Sequence, residues 1–582
     1  MLRAEYPRPQ LVRKEWECLN GEWDFRFDDE KEWGKIEVPF AYQAPLSGIG
    51  MNKMCDDMIY RREIVVPKEW KSNNIRLHFG AVDYRCKVFI NGKFIGKHVG
   101  GNVGFSFDIT ECLNWDKEEI LVYVNDPCKD ESIPRGKQYW LPKQDSIWYT
   151  RTSGIWQSVW IEPLDEIYLK NVKYTGNIDT GNIVIEYESS QAVEDGEMRF
   201  QISMDNEVIT EIHQIGIRKE GKAMASLYDN HIFRMPNHGD GWCWSPENPK
   251  LFEIEIKMIS CGEEVDTVES YFGLRKIETR NGRVYLNNRP YYQKLVLDQG
   301  YWPEGILSAP SDEALRKDIE MAKNMGFNGC RKHQKCEEPR FLYWADKLGY
   351  IVWGEISASV VFTEKSAKRN IMEWTEVLSR DFNHPCIVAW VVLNESWGVP
   401  QISNNLKQQA HSMALYYHVK SLDETRLVVN NDGWEMTKTD ICAIHNYNHG
   451  NSSEHEKKEW YREILVSKEK ILSSEPAGRT LYAQSYEYRG EPIMLTEFGG
   501  VSYHKDEEEW GYTSVKNEEE FLETYERLMR VIRESVAIFG YCYTQLADVE
   551  QETNGLLTED REYKISPDKI KKLNDLQIKN IL

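Results

Sequence analysis

The segment Val391-Val392-Leu393-Asn394-Glu395-Ser396-Trp397 is an apolar, β-branched run that ends abruptly in a glutamate. A second stretch of the same kind, Pro492-Ile493-Met494-Leu495-Thr496-Glu497-Phe498-Gly499, follows further along the chain. Buried strands that carry a polar side chain at their carboxyl ends are how a (β/α)8 barrel presents chemical groups at its open face. The two stretches therefore predict a barrel with Glu395 and Glu497 at one mouth.

The chain from residue 276 onward alternates between strand-like and helical segments. A helical segment begins at Ser311, a residue type that caps helix N-termini, and stops at Gly326. The strand candidates are residues 291–297, 327–331, 350–355, 387–394, 427–431, 441–447, 493–498 and 537–543. These eight βα repeats predict a (β/α)8 TIM barrel, with Glu395 at the end of the fourth strand and Glu497 at the end of the seventh.

The part of the chain before residue 276 is rich in short alternating strands. Up to residue 165 their spacing, with the hairpin signal Asn91-Gly92, predicts a jelly-roll β-sandwich. The segment 166–275 has the size and alternation of an immunoglobulin-like β-sandwich. We therefore predict a multidomain β plus α/β protein with domains at 1–165, 166–275 and 276–582.

The amino-acid composition restricts the kinds of molecule that the protein can be expected to bind. The net charge is -22, with 94 acidic against 72 basic residues, which disfavours nucleic acid and anionic membranes. The chain has 20 Trp and 31 Tyr, and aromatic rings stack on the apolar faces of sugars. Its 12 cysteines occur singly, and no signal peptide or membrane-spanning run is visible. We expect a cytoplasmic protein with a carbohydrate partner.

Two carboxylates at one barrel mouth indicate cleavage of a glycosidic bond. A retaining enzyme places them about 5 Å apart, one protonated and one ionised. Arg331 and a tyrosine hydroxyl near Glu497 would favour its anion, and a neighbouring carboxylate would keep the proton on Glu395. Either glutamate alone could merely cap a strand, but the pair favours catalysis.

Several further residues follow barrel strands and are candidates for the sugar site. His333 and His445 are expected to bind sugar hydroxyls, and Asp298 and Trp434 to line the mouth. His445 and His449 have a metal-like interval, but the loop around them does not resemble the helix of a zinc peptidase. The acidic run at 506–509 is expected to be solvated surface.

The sequence resembles glycoside hydrolase family 2, the family of β-galactosidases and β-glucuronidases. The segment 383–396, Asn-His-Pro-Cys-Ile leading to Leu-Asn-Glu-Ser, is similar to the acid/base signature of that family, and 495–499 is similar to its nucleophile strand. Motifs at 19–23, 152–157 and 272–275 resemble its auxiliary domains. The likeness covers nearly the whole chain in order.

This resemblance implies a double displacement through a glycosyl-enzyme, with Glu395 as the acid/base and Glu497 as the nucleophile. Asn394 would hold the 2-hydroxyl of the sugar. Arg331 matches an arginine at the end of the second strand, and Tyr447 matches the tyrosine that hydrogen-bonds the nucleophile. On the last strand, Tyr543 replaces a tryptophan and is expected to reshape the floor under the sugar.

The sequence departs from the family at three places. Glu355 matches a magnesium ligand, but Ser357 stands where the family has a histidine, so we predict no metal and no cofactor. Trp148 occupies the place of an aspartate that reaches into the galactosidase pocket. The Asn-x-Lys motif of β-glucuronidases is missing at 552–557. A uronide would need other cations, for which the candidates are Lys294, Arg331 and Lys332.

The sequence thus predicts a metal-independent, retaining exo-β-glycosidase that removes a terminal, galacto-configured sugar. The main alternative is a β-hexuronidase, acting on galacturonides before glucuronides. Arabinofuranosidase or mannosidase activity, transglycosylation and a non-catalytic carbohydrate-binding relative are further alternatives, although the last would lack one carboxylate. The family implies a homo-oligomer.

Overall fold

The computed structural model describes residues 3–230, 233, 241–451, 453–503 and 511–576 of the chain. The acidic run at 506–509, expected to be solvated surface, lies outside the described residues. Among the helices of the described residues, none combines the length and the apolar character that crossing a membrane requires.

The N-terminal region is a β-sandwich of one six-stranded and one four-stranded antiparallel sheet. The sheet orders are β3-β2-β4-β10-β7-β8 and β1-β12-β5-β9, and β6 pairs with β11. The strands are β1 (Glu17–Cys18), β2 (Gly21–Phe27), β3 (Gly34–Val38), β4 (Asp57–Ile64), β5 (Asn74–Phe79), β6 (Val82–Asp83), β7 (Arg85–Ile90), β8 (Lys93–Val99), β9 (Phe105–Asp108), β10 (Glu118–Asn125), β11 (Gly154–Ile155) and β12 (Val159–Leu164). Asn91 and Gly92 both have positive φ in the turn from β7 to β8, as the hairpin signal predicts.

The middle region is a second sandwich, with a three-stranded sheet β13-β14-β17 against a four-stranded sheet β16-β15-β18-β19. Its strands are β13 (Leu169–Asn177), β14 (Asn182–Ser189), β15 (Val193–Met204), β16 (Glu207–Ile217), β17 (Glu220–Ser226), β18 (Phe252–Ser260) and β19 (Glu263–Phe272). Alternate side chains of each sheet enclose a separate core, which is the immunoglobulin-like pattern.

The C-terminal region opens with a small antiparallel sheet and continues as an eight-stranded parallel barrel. The barrel order is β27-β26-β25-β24-β23-β32-β29-β28, so the described strands close the barrel except between β27 and β28. The strands are β20 (Ile277–Arg280), β21 (Arg283–Leu286), β22 (Arg289–Pro290), β23 (Gln293–Asp298), β24 (Gly329–Lys332), β25 (Ile351–Glu355), β26 (Ile387–Val391), β27 (Leu427–Val429), β28 (Cys442–Asn446), β29 (Ile493–Gly499), β30 (Val501–Ser502), β31 (Thr513–Ser514) and β32 (Ile538–Thr544). The predicted fold class is confirmed, and the limits 1–165, 166–275 and 276–582 remain our proposal for the domains.

Helices surround the barrel. The predicted helix after Ser311 is confirmed, because the Ser311 side chain accepts a hydrogen bond from the backbone N–H of Ala314. The helices are α1 (Asp312–Asn324), α2 (Pro339–Leu348), α3 (Glu364–Asp381), α4 (Leu406–Leu422), α5 (His455–Leu465), α6 (Lys468–Leu472), α7 (Glu518–Glu534) and α8 (Pro567–Asn574). Leu315, Ile319 and Ala322 of α1 are buried against the barrel at helical spacing.

All eight predicted barrel strands are present, with ends that differ by at most a few residues. Glu395 lies just beyond β26, the fourth strand, and Glu497 lies within β29, the seventh. The twelve cysteines lie in the described part of the chain, none of them forms a disulfide there, and most of them are buried. The fold therefore positions both predicted carboxylates at the carboxyl-terminal mouth.

Candidate active site

Glu395 sits on a tight turn at the end of the fourth barrel strand. Its φ is +50°, and that of Ser396 is +60°, in the left-handed region that non-glycine residues seldom occupy. The turn is held by the fifth strand: the N–H of Glu395 donates to the carbonyl of Asp432, and that of Ser396 donates to Oδ1 of Asn431. Strained backbone of this kind clusters at functional sites, where surrounding contacts hold it in place.

Glu497 faces Glu395 across the mouth. Carboxylate oxygens of the two residues lie within 4.8 Å of each other. Glu497 is almost completely buried, whereas the Glu395 side chain is 17% exposed. This separation suits a retaining rather than an inverting pair of carboxylates.

Arg331, at the end of the second strand, is the centre of the charge network. Its Nη2 donates to Oε1 of Glu497 over 2.9 Å and to Oδ1 of Asn394 over 2.7 Å. Its Nε donates to Oε2 of Glu355 over 3.0 Å, and its Nη1 lies 3.2 Å from Oδ2 of Asp432. The guanidinium thus touches three carboxylates and is completely buried.

His445 links the two candidate catalytic residues to Asp432. Its Nδ1 lies 2.9 Å from Oε1 of Glu395 and 3.4 Å from Oε2 of Glu497, and its Nε2 lies 2.8 Å from Oδ1 of Asp432. The sequence predicts that His445 binds sugar hydroxyls. That prediction is wrong, because carboxylates engage both ring nitrogens.

The charges around Glu497 set its protonation state. Burial alone would raise the pKa of Glu497, but the charges of His445 and Arg331 outweigh burial and hold that pKa at about 2. Burial disfavours a charged imidazole, yet the nearby carboxylates, chiefly that of Glu497, raise the pKa of His445 to about 10. At neutral pH the site therefore combines an ionised Glu497 with a protonated His445.

Tyr447 makes the second direct hydrogen bond to Glu497. Its hydroxyl donates to Oε2 over 2.7 Å and lies 2.9 Å from Oγ1 of Thr544 on the last strand. The ring of Tyr512 stacks on that of Tyr447, with centroids 3.5 Å apart. The predicted contacts of Glu497 with Arg331 and with a tyrosine are both present.

Asn394 has one amide atom to offer a ligand. Its Oδ1 accepts from Arg331, whereas its buried Nδ2 has no hydrogen-bond partner within the described residues. His333 lies behind Arg331, whose Nη2 is 2.8 Å from the Nδ1 of that ring. Burial and the charge of Arg331 hold the pKa of His333 well below its usual range, so the ring is neutral.

A loop of the N-terminal sandwich, residues 126–153, reaches over the barrel mouth. The hydroxyl of Tyr149 hydrogen-bonds Glu552, and Nε2 of Gln551 donates to the carbonyl of Trp148 over 3.0 Å. The ring of Trp148 packs edge to face against that of Trp397, with centroids 4.9 Å apart. Trp397 is two residues beyond Glu395, so Trp148 lies beside the candidate site, and its contact with a sugar stays a prediction.

Two predicted site residues on the first and second strands point elsewhere. Lys294 lies on the outside of the barrel, where its Nζ is 2.7 Å from Asp575. Lys332 is buried, with its Nζ 2.8 Å from Asp298 and 2.7 Å from Glu337. Since neighbouring strand residues face opposite sides, the inward position of Arg331 turns Lys332 outward. The prediction that these lysines clamp a uronide is wrong.

Asp298 and Tyr543 are also not available to a sugar. One carboxylate oxygen of Asp298 accepts from Lys332 and the other from the N–H of Gly300. Tyr543 packs against Phe498 and Tyr525, with ring centroids 5.5 Å and 5.0 Å away, in the layer between barrel and helices. The predictions that Asp298 lines the mouth and that Tyr543 forms the sugar floor are both wrong, and Thr544 faces the site instead.

Trp434 lies at the site, with its ring edge-on to His445 at a centroid distance of 5.6 Å. Residues that sequence reasoning missed include Asp432, Tyr512 and Thr544. Asp432 follows the short fifth strand. The polar residues 430–432 come directly after that buried strand, just as Glu395 comes after the fourth, so the same pattern could have indicated them. Loop residues such as Tyr512 carried no such signal.

Two groups among the described residues bring three possible metal ligands within 4.8 Å of one another. The first is Asp346, His384 and Cys386, but the carboxylate of Asp346 already binds the Tyr271 hydroxyl, the His384 ring and the backbone N–H of Cys386. The second is the catalytic cluster itself, Glu395, His445 and Glu497. Neither donor set fits a resident cation, because Asp346 is held by internal hydrogen bonds in the first and both ring nitrogens of His445 are engaged by carboxylates in the second.

A separate cavity of about 540 Å³ lies where the sandwiches meet the outer side of the barrel. Its lining includes Arg8, His78, Trp160 and Arg380, and none of the candidate catalytic residues. The candidate catalytic residues therefore lie at the barrel mouth and not in this cavity.

Family models match almost the whole chain. The model described as "Glycosyl hydrolases family 2, TIM barrel domain" matches residues 277–578. Those described as "Glycosyl hydrolases family 2, sugar binding domain" and "Glycosyl hydrolases family 2" match residues 26–163 and 167–275. The chain therefore belongs to glycosyl hydrolase family 2, and the resemblance seen in its motifs is confirmed.

Curated relatives carry two activities in their names. A β-galactosidase of Thermoanaerobacter pseudethanolicus is 27% identical over 412 residues, covering 68% of this chain and 52% of the relative. A β-glucuronidase of Paenibacillus borealis is 20% identical over 616 residues and covers 96% of each chain. The chain spans about half the length of the β-galactosidases it matches from Thermoanaerobacter pseudethanolicus and Thermoanaerobacterium thermosulfurigenes.

Solved structures share the fold over the full length. The β-D-glucuronidase of Dictyoglomus thermophilum superposes with a TM-score of 0.78 at 20% identity, covering 98% of this chain and 99% of the other. The β-glucuronidase of Ruminococcus gnavus in complex with D-glucuronic acid gives a TM-score of 0.75 at 20% identity, covering 99% and 100%. At this identity the likeness establishes the common architecture.

Proposed function

We propose that this protein is a retaining exo-β-glycosidase that needs no metal. The observation that carries the proposal is the pair Glu395 and Glu497, whose carboxylate oxygens lie within 4.8 Å across the barrel mouth. This spacing leaves room for an anomeric carbon between them and too little room for the additional water that an inverting enzyme needs.

In the first step Glu497 attacks the anomeric carbon, and Glu395 donates its proton to the glycosidic oxygen. The bond to the leaving group breaks, and a glycosyl ester forms on Glu497. Arg331 and Tyr447 each hydrogen-bond one oxygen of Glu497, so the anion is oriented before the substrate arrives. In the second step Glu395 removes a proton from water, the water oxygen attacks the same carbon, and the ester bond to Glu497 breaks, which frees the carboxylate and restores the configuration.

His445 is a positioning residue in this mechanism. Protonated, it donates to Glu395 through Nδ1 and to Asp432 through Nε2, so it fixes the direction of the acid/base carboxylate. The unpartnered Nδ2 of Asn394 is the donor we assign to the 2-hydroxyl of the sugar. Hydrogen bonds at that hydroxyl strengthen toward the transition state.

The loop that carries Trp148 supports exo action. It approaches the mouth from the N-terminal sandwich and meets Trp397 and Gln551, so one side of the sugar site is closed. An enzyme that cleaves within a polymer needs an open cleft, whereas a closed side suits a terminal sugar. We propose that the chain removes single terminal residues from an oligosaccharide or glycoconjugate.

Two kinds of terminal sugar are candidates. A galacto-configured sugar is the first, in keeping with the relatives named β-galactosidases. A hexuronide is the second, in keeping with the relatives named β-glucuronidases and favoured by one buried lysine considered below. Of the three cations that the sequence offers for the second candidate, Lys294 and Lys332 point away from the site, and Arg331 is engaged by three carboxylates.

The test is hydrolysis of nitrophenyl glycosides with the first-formed product followed by NMR. The panel contains β-galactoside, β-galacturonide, β-glucuronide, β-mannoside and α-arabinofuranoside, each with and without chelator. We expect one β-glycoside to dominate, insensitivity to chelator, and release of the β-anomer before mutarotation. Release of the α-anomer would contradict the retaining mechanism, and trapping by a 2-deoxy-2-fluoro glycoside should label Glu497.

A further inference from the structure

Lys137 enters the barrel mouth from the N-terminal sandwich. The preceding residue, Gly136, is so close to the strand ends that a Cβ there would lie 2.2 Å from the carbonyl oxygen of Gln334 and 3.2 Å from Oγ of Ser357. The carbonyl of Lys137 accepts from the N–H of Tyr149 over 2.9 Å. The backbone at Lys137 is therefore fixed directly above the second and third barrel strands.

Lys137 is largely buried, and its ammonium acts on the carboxyl of Glu552 without forming an ion pair among the described residues. The residue is only 6% exposed, and its Nζ makes no hydrogen bond or ion pair with any residue in the described ranges. The ammonium lies beside the ring of Trp148, whose centroid is 5.8 Å from Nζ. The Trp148 ring in turn packs against the ring of Trp397, which lies two residues beyond Glu395.

Other buried cations at the mouth are neutralised by carboxylates. Arg331 is in contact with Glu355, Asp432 and Glu497, and Lys332 with Asp298 and Glu337. A buried ammonium without a partner is unfavourable, so proteins rarely retain one unless something else supplies the opposite charge. The lone ammonium of Lys137 thus indicates an anionic group that arrives with a ligand.

The field of Lys137 reaches the sugar site. Burial raises the pKa of Glu552, and Lys137 is the main influence in the opposite direction. Lys137 also adds to burial and Arg331 in lowering the pKa of His333, which hydrogen-bonds Arg331 beside Glu497. The ammonium therefore acts on Glu552 and on His333, and the latter hydrogen-bonds Arg331 beside Glu497.

We propose that Lys137 binds a carboxylate on the terminal sugar, which makes β-linked hexuronides the substrate class of this enzyme. The inference rests on the proposed retaining glycosidase function, and it assigns substrate selectivity to a residue of the N-terminal sandwich. A lysine suits this task because its compact charge needs no bidentate partner, and the Trp148 ring can steady the ammonium through a cation–π contact.

The test compares substrates that differ only at C6. The ratio of kcat/KM for nitrophenyl β-galacturonide over β-galactoside, and for β-glucuronide over β-glucoside, is measured for the native enzyme, Lys137→Met and Lys143→Met. Lys143 is an exposed lysine of the same loop and is the matched control. We expect the native enzyme to favour the uronides, Lys137→Met to lower the ratio by about 50-fold, and Lys143→Met to leave it within about twofold.

A second measurement does not require turnover. Free galacturonic and glucuronic acids should raise the thermal midpoint of the native enzyme and not that of Lys137→Met, whereas galactose should act equally on both. The Lys137→Met protein should itself unfold at the same or a higher temperature, because a buried unpaired charge has been removed. A folded variant with a lost uronate response separates binding from stability.

Three results would overturn the inference. Equal losses on charged and neutral sugars would give Lys137 a structural role only, and a native preference for neutral or for 6-sulfated sugars would exclude carboxylate recognition. No turnover of any glycoside, with no labelling of Glu497, would refute the proposed function itself. That last failure is distinguishable, because the uronate-induced thermal shift does not depend on turnover.

Discussion

Nη2 of Arg331 donates a 2.9 Å hydrogen bond to Oε1 of Glu497, and the same guanidinium also touches two further carboxylates. The buried guanidinium of Arg331 therefore interacts with three carboxylates at once. Burial also raises the pKa of Glu355, to about 7, with Asp432 adding to that rise and Arg331 opposing it. The ionisation of Glu497 depends on a residue that makes no covalent bond in the proposed reaction.

Replacing Arg331 by Gln should move the acid limb of the pH profile. Burial favours the protonated carboxyl of Glu497, and without Arg331 less charge opposes burial, so its pKa should rise from about 2. We expect the acid limb of kcat/KM to shift upward in pH, with a loss of about 10²- to 10³-fold at neutral pH. Lys294→Met, on the outside of the barrel, is the control and should leave the profile unchanged. An unshifted limb in Arg331→Gln would contradict the assigned role.

Glu395 and Glu497 should differ in how their loss depends on the leaving group. Glu497→Gln removes the nucleophile and should lower kcat by about 10⁴-fold or more on every substrate. Glu395→Ala should keep much of its rate on dinitrophenyl glycosides, which need no proton, and azide should restore turnover by forming a β-glycosyl azide. Equal residual rates of the two variants on activated substrates would contradict the assignment of Glu395 as acid/base and Glu497 as nucleophile.

The Asn394→Ala substitution should slow hydrolysis only of sugars that carry a 2-hydroxyl. The unpartnered Nδ2 of Asn394 is the proposed donor to that hydroxyl, so kcat/KM on ordinary glycosides should fall by about 10²-fold or more. On matched 2-deoxy glycosides the variant and the native enzyme should have nearly equal rates. A similar loss on both substrate sets would point to disturbance of Arg331, to which Asn394 Oδ1 is bonded.

Protonated His445 should stabilise the folded state, and this stabilisation should be lost at alkaline pH. Its neighbours, chiefly Glu497, raise its pKa to about 10 against the opposing effect of burial. A folded-state pKa above the unfolded value of roughly 6.5 stabilises fully below that pH, and the contribution is lost as pH rises toward about 10. Thermal midpoints of the native enzyme and His445→Gln should therefore converge between pH 7 and pH 10. A constant difference across that range would show that His445 is neutral.

Gly136→Ala should disturb the loop over the barrel mouth. Gly136 has a φ of +57°, and a Cβ would collide with the carbonyl of Gln334. Gly478→Ala is the matched control, since its φ is +72° but nothing lies within 4 Å of a Cβ there. The control should cost about 1 to 2 kcal/mol from backbone strain alone. We expect a larger fall in thermal midpoint and a raised KM for Gly136→Ala, and equal behaviour of the two variants would contradict the described contact.

The sequence allowed the barrel and its two glutamates to be predicted because strand order determines where each strand ends. Glu395 and Glu497 follow long buried runs, and in a parallel barrel those ends share one face. Whether a strand residue points into the barrel or towards the surrounding helices was not predictable in the same way. Both sides of such strands are buried, so polarity does not alternate, and Lys332 and Tyr543 were assigned to the wrong side.

Asp432 and Lys137 were missed for different reasons. Asp432 follows a strand of only three residues, Leu427–Val429, and its role appears only when Arg331 and His445 are placed around it. Lys137 lies far from the barrel in sequence, on a loop of another domain. Long-range placement of this kind depends on how the N-terminal sandwich meets the mouth, which local patterns do not encode.

The loop that brings Lys137 and Trp148 to the mouth separates two tasks in this molecule. Bond cleavage belongs to the barrel, whereas part of the choice of sugar belongs to a surface segment of an ancillary domain. Evolution could then exchange one segment and reach new glycans while the reaction centre remains intact. For the same reason, a barrel expressed without its N-terminal partner should be a poor guide to what the whole enzyme degrades.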